Sequence, residues 1–520
     1  MSNIGCAAHG FGRKGMVAFM KYMSTRNNKL AVESAYAIKK GISEDGGLFV
    51  PSEMPKIDRM DINELSVLSC NERAVKILSM FLTDFTEEEL VEYVDKAYNK
   101  SKFDTASIAP IYELKKDTYM LELWHGPTCA FKDMALQILP HLLTASTRKT
   151  DENKTALILV ATSGDTGKAA LEGFKDVDGT KVMVFYPSEG VSNIQKLQMM
   201  TQEGKNVSVC AIDGNFDDAQ SGVKKIFANK EFAAFCSDND IVLSSANSIN
   251  WGRLVPQVVY YISAYCDLVK CEKIKSGDKI NICVPTGNFG NILAAYYAGK
   301  MGMPINRLIC ASNENNILTD FINTGEYDIN RAFHMTVSPS MDILISSNLE
   351  RLLFDLADKD DEVVKDLMKS LSEKGKYQIG DKMRKKLDAN FTGGCCNDEE
   401  TKETIGRIFR EYAYLCDTHT AVAVNVYEKY LKAEKDNTPT LIVSTADSYK
   451  FANAVLESVL EESDKEEISS LNDFEIIEKL SWITKTNPPA QLSELSAKKI
   501  KFDKTVKVEE MTEAVKNEII

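Results

Sequence analysis

The sequence predicts an α/β fold built on open, largely parallel sheets, and three observations support this fold class. From about residue 108 onward, short runs rich in β-branched residues alternate with helical stretches. Two of these runs end in loops rich in Gly, Ser, Thr and Asn that lead directly into a helix. The chain has 520 residues, of which 44% are hydrophobic, so about two to four domains with a sizeable core are expected.

The N-terminal region differs from the rest and is expected to be mostly helical as far as about residue 104. FTEEELVEYVDKAY (85–98) has a capping threonine, early acidic residues and apolar residues at helical spacing. We therefore assign residues 1–105 to an N-terminal helical domain. Residues 1–21 are predicted to be a leader and not a signal peptide, because their apolar run is too short for a signal peptide and is soon interrupted by Lys21.

The strands that follow define the remaining segments. Residues 106–345 form the predicted α/β region, residues 346–435 a helix-rich segment with charged faces, and residues 436–520 a C-terminal return and tail. The predicted strands are TALILVAT (155–162), KVMVFYP (181–187), NVSVCAI (206–212), DIVLSSA (240–246), INICVPT (280–286), RLIC (307–310) and TLIVST (440–445).

Composition restricts the possible partners. The formal net charge of −14 argues against nucleic acid or an anionic membrane as a partner, and no apolar run reaches the length of a membrane span. The 12 cysteines and 5 histidines are scattered without metal-ligand spacing, so we expect no metal site. Free thiols are typical of a reducing compartment, which predicts a cytoplasmic protein.

HGPTCAFKDMALQ (125–137) places Lys132 in an apolar run behind a tight turn. An exposed lysine has a pKa of about 10.4 and is almost fully protonated. Desolvation disfavours the ammonium form and leaves an amine that can attack an aldehyde. The alternative is a structural lysine whose stem lies along an amphipathic helix while its charge reaches water.

The two loop-to-helix junctions are ILVATSGDTGKAAL (158–171) and ICVPTGNFGNILAAYYAG (282–299). Such loops direct main-chain N–H groups and a helix N-terminus at an anion. Thr162 and Ala169 break the Walker A pattern, and neither loop contains G-x-G-x-x-G, so neither a nucleoside triphosphate nor NAD is supported. Taken alone, either loop could be an ordinary strand-to-helix turn.

Eight segments in this order together resemble threonine synthase, a pyridoxal-phosphate enzyme family of the tryptophan-synthase-β-like fold. The resemblance runs from about Tyr22 to about Phe451 and implies two open, mostly parallel sheet domains, a helical N-terminal domain and helix-rich insertions. The segments are YMSTRN (22–27), GISEDGGLFVP (41–51), HGPTCAFKDMALQ (125–137), ATSGDTGKAA (161–170), PSEGVSNIQKLQM (187–199), DGNFDDAQSGVK (213–224), SANSINWGRLVPQ (245–257) and PTGNFGNILA (285–294).

The resemblance also implies which residues bind the cofactor and the substrate. Lys132 would bond covalently to the cofactor aldehyde, and Thr445 would meet the pyridine nitrogen. The implied cradle of the cofactor phosphate is Gly287, Asn288, Phe289, Gly290 and Asn291. The implied substrate contacts are Ser163, Asp165, Thr166, Asn247, Ser248, Asn250 and Arg253. A structural ion pair for Arg253 and a loop-capping role for Asp165 remain alternatives.

One segment departs from the family pattern, because Asp447, Ser448 and Tyr449 stand where His, Pro and Ala are usual. The implied reaction converts O-phospho-L-homoserine and water to L-threonine and phosphate, by a protein that is a monomer or a homodimer. Three alternatives remain open: a threonine synthase-like phospho-lyase that releases 2-oxobutyrate, phosphate and ammonia, a serine or threonine dehydratase, and a binding protein that keeps the fold without turnover.

Overall fold

A computed structural model describes residues 19–150, 154–162, 164–189 and 191–519, so most of the predicted leader lies outside the described residues. The strands are β1 (Tyr22–Ser24), β2 (Asn27–Val32), β3 (Phe49–Pro51), β4 (Ile111–Lys115), β5 (Thr118–Glu122), β6 (Thr155–Ala161), β7 (Thr180–Pro187), β8 (Val207–Asp213), β9 (Ile241–Ser244), β10 (Ile280–Pro285), β11 (Ile305–Ser312), β12 (Glu326–Asp328), β13 (Lys376–Gln378), β14 (Phe391–Cys395), β15 (Thr440–Ser444) and β16 (Thr505–Lys507).

The helices lie between and around these strands. They are α1 (Ser34–Lys40), α2 (Arg59–Val67), α3 (Cys70–Phe81), α4 (Glu87–Ala97), α5 (Asp133–Leu136), α6 (Leu139–Lys149), α7 (Asp165–Phe174), α8 (Asn193–Met200), α9 (Phe216–Ala228), α10 (Lys230–Asp238), α11 (Trp251–Lys270), α12 (Gly290–Met301), α13 (Ile317–Thr324), α14 (Leu349–Leu356), α15 (Asp361–Lys374), α16 (Asp381–Asn390), α17 (Asp398–Tyr412), α18 (Thr418–Glu434), α19 (Ala452–Val459), α20 (Asp473–Thr484), α21 (Ala490–Ser493) and α22 (Met511–Ile519).

The N-terminal region contains helices α1 to α4, as expected, and also a small antiparallel sheet in the order β2-β1-β3, which the sequence analysis did not anticipate. Two of these strands are only three residues long, too short to show an alternating pattern. The predicted start of α4 is confirmed: the Thr86 side chain accepts from Glu89 N, and the Glu89 side chain accepts from Thr86 N.

Two larger sheets confirm the predicted α/β fold class. One has the order β16-β8-β7-β6-β9 and is parallel throughout, and the other has the order β14-β11-β10-β15-β5-β4 and is parallel apart from the β4–β5 hairpin. Every strand predicted from the sequence is present in one of these sheets. The helix-rich segment and the tail each add a strand, β14 and β16.

The central strands are buried on both faces, which explains their continuous apolar runs. Every residue of β10 and of β15 is buried, as is usual for parallel strands that are covered by helices on both sides. Helix α11 is buried along nearly all of its length and packs against α12. Among the described residues, no helix is both long enough and apolar enough to cross a membrane.

A close contact between α5 and α7 fixes the relative position of the two sheets near the loops that follow β5 and β6. A Cβ atom at Gly173, in α7, would lie 2.0 Å from the carbonyl oxygen of Leu136, the last residue of α5. No real side chain tolerates that separation from a main-chain atom, so α5 and α7 approach this closely because residue 173 is glycine.

The substitution Gly173→Ala is therefore expected to destabilise the protein, by about 1–3 kcal/mol, because α5 and α7 must separate. Thermal and urea-induced unfolding measure the effect. Gly380→Ala is the matched control, because no atom lies within 4 Å of a Cβ placed there. If Gly173→Ala and Gly380→Ala have equal free energies of unfolding, the α5–α7 contact is not tight.

Candidate active site

Three neighbouring strands of the six-stranded sheet bring the sequence-predicted cofactor residues to one edge. Strands β10, β15 and β5 are adjacent and parallel, so their carboxyl ends lie side by side. The segments that follow them carry the 287–291 loop, Thr445 and Lys132 respectively. In open α/β sheets, ligands bind beyond the carboxyl ends of the strands, and this edge is therefore the candidate active site.

The tight turn before Lys132 is closed by the aspartate that follows it. The Asp133 carboxylate accepts hydrogen bonds from Thr128 N at 2.8 Å and from Thr128 Oγ1 at 2.7 Å. A Cβ at Gly126 would lie 2.6 Å from Asp133 Cβ, so the turn requires glycine there. Lys132 is thereby held at the start of α5.

Main-chain pairing joins the Lys132 segment to the segment that carries Thr445. Phe131 N donates to Thr445 O at 2.8 Å, Asp447 N donates to Cys129 O at 3.1 Å, and Ala130 pairs with Ala446 in an antiparallel bridge. Lys132 and Thr445 are more than 300 residues apart in the sequence, and this short ladder fixes their separation in space.

The Lys132 amine lies in a buried polar cage. Lys132 is only 8% exposed, which argues against a lysine that reaches out to solvent. Its Nζ lies 3.2 Å from Asp165 Oδ2 and 3.3 Å from Ser340 Oγ. Burial lowers the pKa of Lys132, and the nearby cations Lys450 and Arg253 lower it further, although Asp165 opposes them.

A second buried lysine shares the Asp165 carboxylate. Lys450 Nζ lies 2.9 Å from Asp165 Oδ1 and donates to Thr128 O at 2.7 Å. Burial alone would lower the pKa of Lys450, but the charge of Asp165 outweighs this effect and raises it. Lys450 is therefore the permanent cation of the group, and Lys132 is the amine that loses its proton more readily.

Asp165 remains ionised between these two cations. Burial alone would raise the pKa of its carboxyl, but the charges of Lys132 and Lys450 hold it well below the usual range. Gln195 Nε2 also donates to Asp165 Oδ1 at 3.0 Å. Asp165 is the first residue of α7, the cap position is Gly164, and the Asp165 oxygens bond to Lys132, Lys450 and Gln195, so its side chain serves these contacts and not the helix cap.

The loop that follows β10 has the geometry of a phosphate cradle. Phe289 adopts a left-handed conformation, with φ of 61°, and α12 begins at the next residue. The first N–H groups of a helix lack intrahelical acceptors, and within the described residues no protein acceptor is found for the main-chain N–H groups of residues 287–291. The side-chain nitrogen of Asn291, Nδ2, is also buried and has no hydrogen-bond partner among the described residues. These donors fit the phosphate of the expected cofactor.

A segment that the sequence analysis missed covers this loop and Lys132. Ser346 Oγ donates to Gly287 O at 2.7 Å, and Asn348 donates twice to Asn288 O. A Cβ at Gly287 would lie 2.8 Å from Ser340 O. The signal was present in the sequence, because TVSPSMDILISSN (336–348) carries four serines and lies between helical stretches.

Arg253 lies in the first turn of α11, 5% exposed, and donates to Ala246 O at 2.8 Å. Among the described residues no carboxylate pairs with it, which argues against the structural ion pair considered above. Burial lowers the pKa of Arg253 to about 10. A buried guanidinium without a carboxylate partner is suited to binding an anionic ligand.

The other predicted substrate residues are in different environments. Asn250 caps α11 through Gly252 N and donates to Ile38 O and Ser245 O, so its side chain is occupied by structural bonds. Asn247 is exposed, and Ser248 lies 3.5 Å from Ser347 Oγ. Thr166 is half-buried in the first turn of α7, and Ser163 lies outside the described residues.

The STRN motif makes structural contacts. The Thr25 hydroxyl donates to Glu350 Oε1 at 2.6 Å, and Arg26 forms a two-point ion pair with the same carboxylate. These bonds attach the N-terminal sheet to α14, which follows the segment that covers Gly287. The motif therefore supports the site indirectly, through its contacts with α14.

Family models match nearly all of the described chain. Residues 21–98 match a model described as threonine synthase N terminus, residues 109–446 one described as pyridoxal-phosphate dependent enzyme, and residues 420–519 one described as threonine synthase, C-terminal.

Relatives and solved structures agree with these models. The chain is 41% identical to human threonine synthase-like 1, with 81% of this chain and 57% of that protein covered. It is 34% identical to threonine synthase of Saccharomyces cerevisiae, with 96% and 98% covered. Its structure resembles those of yeast threonine synthase, with a TM-score of 0.85 at 34% identity, covering 96% and 98% of the two chains, and of threonine synthase from Brucella melitensis with bound pyridoxal phosphate, with 0.84 at 34%, covering 96% and 99%.

Removing the second lysine is expected to raise the pKa of Lys132. Lys450→Met removes a cation that lowers this pKa, and leaves Asp165 to pair with Lys132 alone. Labelling of Lys132 with an amine reagent, followed by mass spectrometry across a pH series in the cofactor-free protein, should therefore shift to higher pH.

Lys300→Met is the matched control, because Lys300 is a partly exposed lysine paired with Asp355 away from the site. An unshifted labelling profile for Lys450→Met, in a variant that unfolds at the wild-type temperature, would contradict the shared-carboxylate account.

Proposed function

This chain belongs to the threonine synthase family of pyridoxal-phosphate-dependent enzymes, and from that membership we propose that it converts O-phospho-L-homoserine and water to L-threonine and inorganic phosphate. The predicted family and cofactor are thereby confirmed. The observation that most supports the proposed reaction is that Lys132, a buried amine with a lowered pKa, feels the charge of the buried Arg253 guanidinium, for which no carboxylate partner is found among the described residues.

The described residues fit the cofactor. When bound, pyridoxal phosphate supplies a conjugated ring that stabilises negative charge on substrate carbons near the amino group. We propose that Lys132 holds its aldehyde covalently and that residues 287–291 hold its phosphate through main-chain donors. Thr445 would face its ring nitrogen, and a hydroxyl there, unlike a carboxylate, would leave that nitrogen unprotonated.

Lys132 is the proposed proton carrier of the reaction. In the proposed reaction the freed Nζ would accept the proton from the substrate Cα, release that proton before it accepts one from Cβ, and return protons to the carbon skeleton as the phosphate leaves and water adds at Cβ. Its lowered pKa, caused mainly by burial, makes the amine release its proton more readily than an exposed lysine does. Asp165, which Lys450 holds in position, keeps the amine in place between these steps.

The leaving phosphate requires a separate clamp. We propose that Arg253 binds it, because a planar guanidinium can donate two parallel hydrogen bonds to a phosphate. Asn247 and Ser248 would contribute from the same loop, and Asn250 would act by fixing the start of α11. Ser163, Asp165 and Thr166 would contact the carboxylate or the phosphate end of the substrate.

A second candidate function is a phospho-lyase on the same substrate, which releases 2-oxobutyrate, phosphate and ammonia. Two observations favour considering it. The relatives named threonine synthase-like 1 are 40–41% identical to this chain, whereas the threonine synthases reported above are 34% identical. The segment next to the proposed cofactor ring also carries Asp447 in place of the usual histidine.

We propose the domain division 1–105, 106–345, 346–435 and 436–520, with the last segment returning to the cofactor site. A cytoplasmic location is supported by the described cysteines, all of which are free thiols. The protein would act as a monomer or a homodimer on a small-molecule substrate.

Product identification tests the proposed function directly. The purified protein, loaded with pyridoxal phosphate and given O-phospho-L-homoserine, is expected to form threonine and phosphate in equal amounts, measured by mass spectrometry and a phosphate assay. Formation of 2-oxobutyrate and ammonia instead would support the phospho-lyase. Absence of phosphate release would exclude both.

The Arg253 clamp predicts a graded loss of activity. Arg253→Met is expected to lower kcat/KM by about 10- to 100-fold, since a charge-assisted hydrogen bond contributes roughly 1.5–3 kcal/mol. Arg253→Lys should fall between this variant and wild type, because it keeps the charge but loses the planar fork. Arg407→Met, which removes a half-exposed arginine paired with Glu428, is the control. An unchanged kcat/KM in Arg253→Met would remove Arg253 from the phosphate clamp.

A further inference from the structure

A histidine on α18 reaches the Lys132 site through one intervening residue. His419 is 3% exposed, and its Nε2 accepts a hydrogen bond from Ser340 N at 3.2 Å. Its other ring nitrogen, Nδ1, lies 2.8 Å from Asp417 Oδ2. The ring edge also packs against Phe451, with centroids 4.8 Å apart. Asp417 and Phe451 thus hold the His419 ring on two sides, and its Nε2 contacts Ser340.

These contacts determine which nitrogen carries the proton. Because Ser340 N–H can only donate, His419 Nε2 must be the unprotonated nitrogen. Nδ1 then carries the hydrogen and donates it to Asp417. Asp417 is itself fixed, because it is fully buried and accepts from His419 N and Thr420 N at the start of α18. The pair therefore presents one fixed acceptor to the main chain of residue 340.

Ser340 in turn contacts the reacting amine. Its hydroxyl lies 3.3 Å from Lys132 Nζ and 3.4 Å from Asp165 Oδ2, so it can accept from the lysine while donating to the carboxylate. The short segment around it is anchored by Asn313, whose amide donates to Thr336 Oγ1 and to Asp342 Oδ1. These bonds fix the segment on both sides of Ser340, and the bond to His419 fixes the main chain of residue 340 itself.

We propose that Ser340 is a catalytic residue that, with Asp165, holds the Lys132 amine when it is free, and that Asp417 and His419 are positioning residues for Ser340. A lysine tip has several rotamers of similar energy, and an amine that is released and recaptured in each turnover must return to one position. Two polar partners on different elements restrict that choice, and displacement of one of them by about 1 Å costs up to roughly 100-fold in rate.

Four variants separate the parts of this proposal, which rests on the proposed proton-carrier role of Lys132. Ser340→Ala removes the hydroxyl. His419→Ala removes the acceptor for Ser340 N, whereas His419→Gln retains a side-chain oxygen that can reach it. His141→Gln is the control, because His141 is a histidine on α6 that stacks on Tyr93 away from the site.

The first measurement does not depend on activity. Residue-resolved hydrogen exchange on the full-length, cofactor-free protein is expected to show roughly 5- to 10-fold faster exchange of the Ser340 amide in His419→Ala, as for the loss of one hydrogen bond. His419→Gln and His141→Gln should exchange at the wild-type rate. Wild-type exchange at Ser340 in His419→Ala would overturn the positioning role.

The second measurement is kinetic. In Ser340→Ala and His419→Ala, kcat is expected to fall by about 10- to 100-fold, while KM and the affinity for pyridoxal phosphate stay within about threefold of wild type. His419→Gln should recover most of the rate. An unchanged kcat in Ser340→Ala, or a loss confined to KM or to cofactor affinity, would overturn the catalytic role of the hydroxyl.

A wild-type protein that is inactive on O-phospho-L-homoserine would refute the proposed function and not this arrangement. In that case the labelling rate of Lys132 in the cofactor-free protein replaces kcat as the second measurement. Ser340→Ala and His419→Ala should then change that rate in the same direction by about twofold or more, and His419→Gln should not. A wild-type labelling rate in both alanine variants would overturn the proposal.

Discussion

The active site depends on one buried carboxylate shared by two buried lysines. Asp165 lies 2.9 Å from the Lys450 amine and 3.2 Å from the Lys132 amine. A buried charge is costly unless it is paired, and one carboxylate cannot fully compensate two ammonium groups. The pair with Lys450 is the closer one and is supported by Thr128 O, so Lys132 is the group that gives up its proton. The lowered pKa of Lys132 therefore follows first from its burial and then from the sharing of one carboxylate with a second cation.

This arrangement requires that segments far apart in the sequence are positioned relative to each other with a precision of a fraction of an ångström. Asp165 follows β6 of one sheet, and Lys132 follows β5 of the other. The close approach of α5 and α7 at Gly173 links the two sheets, and the main-chain ladder between residues 129–131 and 445–447 links Lys132 to the C-terminal return. Polar side chains alone could not set such distances, whereas packed elements can.

The departure from the family pattern at Asp447 has a structural explanation in this arrangement. The Asp447 side chain accepts from Tyr449 N at 2.8 Å and so caps the short 3-10 turn that carries Lys450. Burial raises the pKa of Asp447 to about 7, so near neutral pH it competes weakly with Asp165 for the Lys450 cation. Asp447 thus fixes the turn that carries Lys450 without adding a permanent negative charge next to Thr445.

The sequence by itself determined the fold class, the strands of the α/β region, and a set of polar loops at strand ends, because short β-branched runs and loop composition are local properties. It also singled out Lys132 by its apolar neighbours. It could not show that Lys450 competes for Asp165, that the side chain of Asn250 is occupied in capping, or that Ser340 lies beside Lys132. Nor could it reveal β14 and β16, which are short strands whose partners lie in distant segments. The tertiary structure decided these points, because which polar groups share a proton depends on distances of about 3 Å between residues that can be more than 300 positions apart, such as Lys450 and Thr128, and only packing sets them.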